Sequence, residues 1–473
     1  MLIFAHGIVG RADLPIPGAM FGVAAALVLV IAHGLVGRAD LPVPEGVFIA
    51  AAAVVLVVSF LALAAGWSRP RLQMWPERRL ARLPVAADAV LGTLGVLAFA
   101  VTVYAGLAGT SQESDNLAPT MVYVLFWVGV PVASLLLGDV WRLLSPWRAV
   151  GRAVGAAARR LGGDEVSEPL PYPDRLGRFP AAAGVIAFAI CELCWATARE
   201  PSALAVLMLV YVVIMLVGMS LYGVEPWTTN ADAFGVLFGL FAALAPVTRR
   251  DGVLYLRPPV LGATRLDPRR GTTAVLLAAI GATAFDGAQG GPLFNNTVPH
   301  LQDAFEALGF STGTALELGF VVGLFFVCAV VSLIWSLGVA GMPRVDGERP
   351  GRAFVHSLVP ILAAYVVAHY FSLLAYNGQD LARLASDPLG DGSDLFGTAG
   401  STIDYGVVSA TAIWYVQVGA LVAGHVSALV LAHDRALAVY GGHREASRSQ
   451  VVMLVVMVVF TVLGLWLLSQ ANG

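Results

Sequence analysis

Charged residues are scarce in this sequence, and lysine is absent. Only 12% of its 473 residues are Asp, Glu, Lys or Arg, and all 28 basic residues are arginine. A soluble domain averages about 25% charged residues, so this composition excludes an ordinary soluble protein. The formal net charge of −3 gives no sign of a nucleic-acid-binding surface, and we expect no nucleic-acid partner.

Cysteine is nearly as rare. The three cysteines, Cys191, Cys194 and Cys328, all lie in apolar stretches. Cys191 and Cys194 have Glu192 between them and no second pair to complete a redox or metal motif, so we interpret them as packing residues. His-x-His and HExxH spacings are also missing, so the sequence offers no ready-made metal-binding motif.

Long apolar runs are what the sequence does have, since 58% of its residues are hydrophobic. Crossing a bilayer takes about 20 apolar residues, and many runs reach or approach that length. We predict an all-α fold, a polytopic integral membrane helical bundle with about ten to twelve transmembrane helices. The lipid bilayer is its expected partner, and the inner (plasma) membrane its expected location.

The distribution of arginine predicts which connecting segments lie on the cytoplasmic side of the membrane. Trp67–Pro84 and Thr248–Gly271 are rich in arginine, which predicts that both are cytoplasmic. Counting spans from these loops places both chain termini outside. Asp139–Gly162 combines Trp and Arg in an amphipathic pattern, which predicts an interfacial helix on the cytoplasmic face.

Three apolar stretches precede the second arginine-rich loop, although an even number of crossings is required there. They are Ala181–Ala198, Ala203–Gly223 and Ala231–Val247. Ala231–Val247 is the shortest and is interrupted by Pro246, so we predict that this stretch is re-entrant or broken. Irregular backbone at membrane depth is tolerated where it lines a cavity, which makes this stretch a candidate pocket wall.

The N-terminus carries a tandem repeat. AHGIVGRADLPIP at Ala5–Pro17 returns as AHGLVGRADLPVP at Ala32–Pro44, and an apolar run separates the two copies. That run is typical of a signal peptide and predicts cleavage before His33, while an uncleaved first helix is the alternative. We therefore divide the chain into a signal-like or extra segment, 1–32, and a single transmembrane domain, 33–473.

Polar side chains recur along two of the apolar stretches. In Ala353–Tyr376 they form one helical stripe, and in Val407–Ala432 they form a second. An ionisable side chain inside a span is costly unless it faces the bundle interior, so both stripes indicate candidate sites. The first stripe comprises Tyr365, His369, Ser372 and Tyr376, and the second Trp414, Gln417, Leu421 and His425.

The predicted topology places His33, Asp286 and His369 together in the outer half. We predict that Asp286 and His369 are catalytic and act on a water as a general base pair. The same two residues and His33 are candidate ligands for copper or zinc, which suit imidazoles combined with a carboxylate. The candidate substrate-binding residues are Tyr365, Tyr376, Trp414 and Gln417.

Plainer interpretations of these residues stay open. A histidine inside a span can simply be hydrogen-bonded to a neighbouring helix, and a serine such as Ser372 more often bonds its own backbone than acts as a nucleophile. His300 lies in a predicted outer loop, where we expect it to be solvated. The inner half holds His356, His425 and His433, about 20 Å from the outer set at 1.5 Å per residue, so one site cannot combine both sets.

Several motifs resemble a bacterial membrane-protein family, common in actinobacteria, whose members are often labelled fenitrothion hydrolase. The similarity covers most of the chain from Ala32 onward and implies cleavage of an aryl phosphorothioate ester at a membrane-embedded site, without assigned catalytic residues. This chain departs from the family in having two copies of HGxVGRADLP. The motifs are HG-VGRADLP, AFDG at Ala284–Gly287, AHYFSLL at Ala368–Leu374, DLFGT at Asp394–Thr398, WYVQVGALVAGH at Trp414–His425 and LAHDRAL at Leu431–Leu437.

Three functions remain in view. The first is an integral membrane enzyme with an outward-facing polar, metal-binding pocket, a hydrolase of organophosphorus-type small molecules by resemblance. The second is a transporter or channel for a small solute or metal ion, suited by the intramembrane Glu192, His369 and His425. The third is a membrane subunit of a copper or haem redox complex, with His356 and His425 as its ligand pair.

The N-terminal prediction is directly testable. A free amine next to an imidazole chelates a metal, whereas an amide nitrogen does not bind it in the same way. We expect the mature chain to begin at His33 and to bind about one copper or zinc ion there. N-terminal sequencing of the natively expressed protein checks this, and a chain that still begins at Met1 removes the amine ligand.

Overall fold

The computed structural model describes residues 45–84, 86–162, 168–345 and 350–471. Within these ranges the chain is a helical bundle with one small sheet, which confirms the predicted all-α class. Segment 1–32, both copies of the duplicated motif and His33 lie outside the described residues, so the predictions made for them stay predictions.

The longer elements are numbered here in chain order. The first half contains α1 (Glu45–Gly66), β1 (Arg78–Arg82), α2 (Ala86–Ala108), α3 (Leu117–Leu137), α4 (Val140–Leu144), α5 (Pro146–Gly162), α6 (Phe179–Leu193), α7 (Pro201–Tyr222), α8 (Val224–Asn230) and α9 (Ala233–Ala242). The second half contains β2 (Val247–Arg250), β3 (Val253–Leu256), α10 (Thr272–Gln289), α11 (Pro292–Ala307), α12 (Thr312–Ala340), α13 (Leu358–Asn377), α14 (Ala410–Tyr440), α15 (His443–Ser449) and α16 (Val451–Ala471).

Seven helical segments among the described residues are long and apolar enough to cross a membrane. They fit a multi-pass membrane protein, but the expected number of ten to twelve spans is not confirmed. Helices α6 and α9 are shorter apolar helices. The seven segments are Ala86–Ala108, Leu117–Leu137, Pro201–Tyr222, Thr312–Ala340, Gly351–Ser386, Ala410–Tyr440 and His443–Gly464.

Side-chain caps set where several helices begin. The side chain of Asp232 accepts a hydrogen bond from the Phe234 backbone at the start of α9. Ser311 and Ser409 do the same at the starts of α12 and α14. These are favoured N-cap residues because their oxygens satisfy a backbone N–H that has no partner within the helix.

The two arginine-rich loops meet on one face of the bundle. Strand β3 pairs antiparallel with both β1 and β2, so that Arg78 lies opposite Leu256. The end of α14 reaches the same face, because Asp434 Oδ1 accepts a 2.7 Å hydrogen bond from the Arg71 backbone. The expectation that these segments share a side is therefore met, and we call this side the arginine-rich face.

The acidic loops meet on the opposite face. The Thr110 backbone donates to the Leu389 carbonyl at 2.8 Å, and Arg383 pairs with Asp115 at 3.2 Å. Arg383 also bonds Asp380 within its own segment, at 2.7 Å. Loops that are far apart in sequence thus close over the end of the bundle where α10 and α13 finish.

The stretch predicted to be re-entrant forms the short, buried helix α9. Its ten residues rise about 15 Å, half the roughly 30 Å thickness of a hydrocarbon core. Both ends are tied to the arginine-rich face, through the 2.7 Å bond from Arg269 to Asn230 and through the pairing of Val247 with Leu256. Helix α9 also lines a cavity of about 170 Å³, but this cavity lies beside Asp139, Arg148 and Arg178, away from Asp286.

The predicted interfacial helix is divided in two. Helices α4 and α5 meet at Ser145, whose backbone leaves the helical conformation. Arg142 and Arg148 both bind Glu225, at 2.8 and 2.6 Å, which fastens this pair of helices to α8. On the other side, the buried indole of Trp147 donates to Asp232 at 2.8 Å. Because the helix breaks at Ser145, this segment binds polar partners on both sides, Glu225 on one and Asp232 on the other.

The predicted loop around His300 is a helix, α11, and this part of the sequence interpretation was wrong. Gly291 and Pro292 start the helix, and its buried Val298 packs towards α12. Pro299 lies inside the helix, although proline is unfavourable in a helix interior. His300 is exposed, as expected.

Helix α13 forms the centre of the bundle and packs closely against α14. Every side chain from Leu358 to Val366 is buried, because the helix is apolar on all sides. Gly424 of α14 faces α13 so closely that a Cβ there would lie 2.6 Å from the Pro360 carbonyl oxygen. Small residues at such a crossing let two helix backbones approach each other.

This crossing generates a stability prediction. Gly424→Val should lower the free energy of unfolding by about 1–3 kcal/mol or more, since overpacking forces the two helices apart. Gly419→Val, on the same helix with nothing within 4 Å of a Cβ, is the matched control for helix propensity. Thermal unfolding in detergent measures both variants, and equal melting temperatures would contradict this account of the crossing.

Candidate functional site

Asp286 and His369 meet between α10 and α13. The His369 Nε2 and the Asp286 Oδ2 are 2.8 Å apart. Tyr370 donates its hydroxyl to the same carboxylate oxygen at 2.9 Å, and Gln289 donates to Oδ1 at 2.8 Å. The carboxylate is therefore held from three sides, and His369 has the polar partner that a histidine inside a span requires.

Helix geometry places this cluster towards the acidic face. The N-terminus of α10 lies at the arginine-rich face, where Arg178 donates to Thr272 at 3.0 Å. Asp286 follows fourteen residues later, about 21 Å along the helix. The side chains of His369 and Asp286 are 20% and 18% exposed, so the pair is enclosed without being sealed.

One nitrogen of the His369 ring remains available. Its Nε2 is engaged with Asp286, while Nδ1 has no hydrogen bond to any residue that the structure describes. A carboxylate on one ring nitrogen orients the imidazole and stabilises its protonated form, so the other nitrogen can accept a proton. The arrangement is thus suited to general base chemistry.

A small cavity adjoins the ring. Its volume is about 20 Å³, enough for about one water molecule. Tyr365 lies one helical turn from His369 and contributes to the same wall, while Gly464 of α16 contributes to the far side. The full lining is Thr283, Ala284, Gly287, Tyr365, Ala368, His369, Leu421 and Gly464.

The four predicted substrate-binding residues are not gathered in one place. Tyr365 lines the cavity, but its hydroxyl donates to the Phe460 carbonyl at 2.8 Å. Tyr376 donates to the Val408 carbonyl at 2.8 Å and packs on Tyr405, so it holds the loop that follows α13. Trp414 and Gln417 are buried in α14 and do not line the cavity. Of the four, Tyr365 alone adjoins His369 through this cavity.

Sequence reasoning missed Tyr370 and Gln289. Both have simple sequence signals: Tyr370 directly follows His369, and Gln289 lies three residues after Asp286 on the same helix. Glu192 of α6 is a further electrostatic neighbour of Asp286, and its backbone carbonyl accepts a bond from Arg199.

No group of three or more His, Cys, Asp or Glu side chains is arranged to hold a metal among the described residues. Of the predicted ligands, Asp286 and His369 are adjacent, and His33 lies outside the described ranges. The copper or zinc assignment therefore stays a prediction.

The inner histidines are held individually by backbone carbonyls. His356 Nε2 lies 3.3 Å from the Leu431 carbonyl, and His425 Nδ1 lies 2.7 Å from the Leu421 carbonyl. The ring of Tyr365 lies 6.2 Å from the ring of His425, between centroids. The contacts do not join His356 and His425 as a ligand pair. Cys191, Cys194 and Cys328 are free thiols.

Comparisons with family models, with curated proteins and with solved structures find no match for this chain.

The polar cluster generates a second stability prediction. His369→Ala removes one donor from a largely buried carboxylate, which should lower the free energy of unfolding by about 1–3 kcal/mol. His300→Ala makes the same chemical change at an exposed position and should have little effect. Denaturant or thermal unfolding in detergent compares them, and equal stability of the two variants would contradict a structural role for the His369 bond.

Proposed function

We propose that this protein is an integral membrane hydrolase in which His369 is the general base and Asp286 positions it. The 2.8 Å contact between His369 Nε2 and Asp286 Oδ2 carries the proposal. Together with the free Nδ1 and the adjoining water-sized cavity, it provides a base, a group that orients the base and a place for the nucleophile.

In this proposal the reaction begins with a water beside the His369 ring. Nδ1 accepts a proton from the water as its oxygen forms a bond to the electrophilic centre of the substrate. Asp286 stabilises the resulting imidazolium, while Tyr370 and Gln289 hold the carboxylate in place. The ester bond breaks as the leaving oxygen departs, and that oxygen takes up a proton from the imidazolium or from solvent.

An organophosphorus ester is the proposed substrate class, and this choice rests on the family resemblance alone. The cavity admits a water but not an aryl ester, because its volume is about 20 Å³. The ester would therefore approach from the open side, where His369 and Asp286 are about one-fifth exposed. His33 as the first mature residue would add an amine and an imidazole on that side, and copper or zinc is the proposed ion.

The proposal includes an orientation in the plasma membrane. We assign the arginine-rich face to the cytoplasm by the positive-inside rule, which places the Asp286–His369 cluster in the outer half. Ten crossings fit the alternation of loops between the two faces: the seven long segments together with α1, α6 and α10. In this arrangement α9 enters and leaves on the cytoplasmic side.

A proton- or cation-coupled transporter is the second candidate. Helix α9 favours it, since a short buried helix with both ends on one face is the kind of discontinuous element that transporters place beside their pathways. A pathway for protons or cations from His369 towards the arginine-rich face is less well supported. Below His425 the helix α14 buries the apolar side chains of Ala428, Leu429, Leu431 and Ala432.

Hydrolysis by the purified protein in proteoliposomes tests the proposal. With an aryl phosphorothioate or phosphate ester as substrate, His369→Ala should lower kcat by about 10²–10⁴-fold, the usual contribution of a general base. Asp286→Asn should also lower kcat, because the amide stabilises the imidazolium less well. His300→Ala should retain wild-type turnover.

Two results would overturn the hydrolase assignment. One is full turnover by His369→Ala. The other is a wild-type protein that releases no product but moves protons or cations across the liposome membrane, which is the outcome that the transporter predicts.

A further inference from the structure

A second polar cluster lies at the opposite end of the bundle, where α14, α15 and α16 join. Four buried side-chain atoms there have no hydrogen-bond partner within the described ranges: His433 Nδ1, His443 Nδ1, Ser447 Oγ and Gln450 Oε1. Buried polar atoms in folded proteins are nearly always paired, so a concentration of unpaired ones in one place points to a ligand.

His433 is prepared to bind a cation. Its side chain is fully buried, and its Nε2 lies 2.9 Å from the Trp67 carbonyl oxygen. A carbonyl only accepts, so Nε2 carries the proton and Nδ1 presents a lone pair. Metal-binding histidines characteristically donate their second ring nitrogen in this way.

Gln450 presents a second acceptor beside this ring. Its Nε2 donates to the Ala446 carbonyl at 3.2 Å, which leaves the buried Oε1 facing elsewhere. The Gln450 side chain lies within hydrogen-bonding reach of the His433 ring. With the ring proton on Nε2, the Nδ1 lone pair and Oε1 are both acceptors, and a proton donor or a cation between them would satisfy both.

His443 supplies a second imidazole close by. The centroids of the His433 and His443 rings are 6.4 Å apart, with the ring planes at 87°. Nitrogen ligands lie about 2.0–2.1 Å from zinc, so an ion shared by two imidazoles at a tetrahedral angle places their centroids about 5.3 Å apart. The two rings would therefore move about 1 Å closer on binding such an ion.

A buried carboxylate next to the cluster supplies compensating charge. Asp434 directly follows His433, and its Oδ1 accepts bonds from the Trp67 indole at 3.1 Å and from the Arg71 and Leu72 backbones. Trp67 thus contacts both the histidine and the carboxylate. A cation held beside a buried anion costs less to desolvate than an isolated one.

We propose that His433, His443 and Gln450 bind one divalent first-row transition-metal ion of the zinc class. Two imidazoles and one amide oxygen suit such an ion, and the Ser447 hydroxyl or a water completes four-coordination. The ion fastens α14, α15 and α16 to the loop that follows α1. This site is independent of the Asp286–His369 cluster and of the proposed hydrolysis.

Metal binding to the full-length protein in detergent tests the site. The protein is stripped with a chelator, titrated with Zn²⁺ or Co²⁺, and analysed by elemental mass spectrometry and thermal unfolding. We expect one ion per chain that depends on His443, besides any ion at the proposed His33 site, and a higher melting temperature with metal. His443→Ala should weaken binding of this ion by about 100-fold or more, since loss of an outer-shell partner alone costs 10–100-fold. His300→Ala should bind normally.

A second variant with a positive signal distinguishes loss of a metal ligand from misfolding of His443→Ala. His443→Cys replaces the imidazole by a thiolate, and its Co²⁺ form should show a sulfur-to-cobalt charge-transfer band that the wild type lacks. If the cluster holds only water, the wild-type protein takes up no more metal than His443→Ala and its melting temperature does not respond to Zn²⁺. That result would overturn the proposal, as would wild-type affinity in His443→Ala or absence of the band in cobalt-loaded His443→Cys.

Discussion

The pairing of buried polar groups is the constraint on which this bundle depends. In an apolar interior an unpaired carboxylate or imidazole is expensive, so each such group fixes the position of a neighbour. Asp286 joins α10 to α13 through His369 and Tyr370. Asp232 likewise joins α9 to α5 and α7, through Trp147 and Tyr211 at 2.8 Å each. The apolar residues fill the bundle, and these few polar bonds define which helices are neighbours.

The same constraint separates the two ends of the molecule. At the acidic face the polar cluster is partly exposed and adjoins a water-sized cavity, which suits turnover. At the arginine-rich face His433 and Asp434 are buried and held by Trp67, which suits a permanent structural role. The histidine and aspartate side chains at the two faces thus suit different roles, turnover at one and structure at the other. Their exposure to water distinguishes these roles.

Much of this architecture was predictable from sequence because hydropathy and arginine placement report on a simple physical boundary. The apolar runs Val85–Gly109 and Leu117–Gly138 match the bounds of α2 and α3 to within a residue, and the stretch singled out by the parity of the crossings holds the short helix α9. The polar stripe of α13 pointed to His369, which the structure places 2.8 Å from Asp286. The break at Ser145 and the helix α11 were not predictable in this way. The local sequence pattern at each of these places is compatible with more than one secondary structure.

The site was only partly predictable, and for a physical reason. A single helix shows which of its own residues share a face, but it does not show which residues of another helix oppose them. Tyr376, Trp414 and Gln417 share stripes with the right spacing, yet the crossing of α13 and α14 directs them away from the cavity. Tyr370 became evident as a partner of Asp286 only when α10 and α13 were placed side by side, whereas the spacing of Asp286 and Gln289 on one helix could be read from the sequence.

The clasp between Trp67 and Asp434 has a consequence for biogenesis. Its two residues are 367 positions apart, so the loop after the first described helix cannot make this bond until nearly the whole chain has been synthesised. At a synthesis rate of about 5–20 residues per second this interval is roughly 20–70 s. During that time α1 is inserted without its final partner, and the ribosome must deliver α14 before the earliest part of the protein can take its mature form.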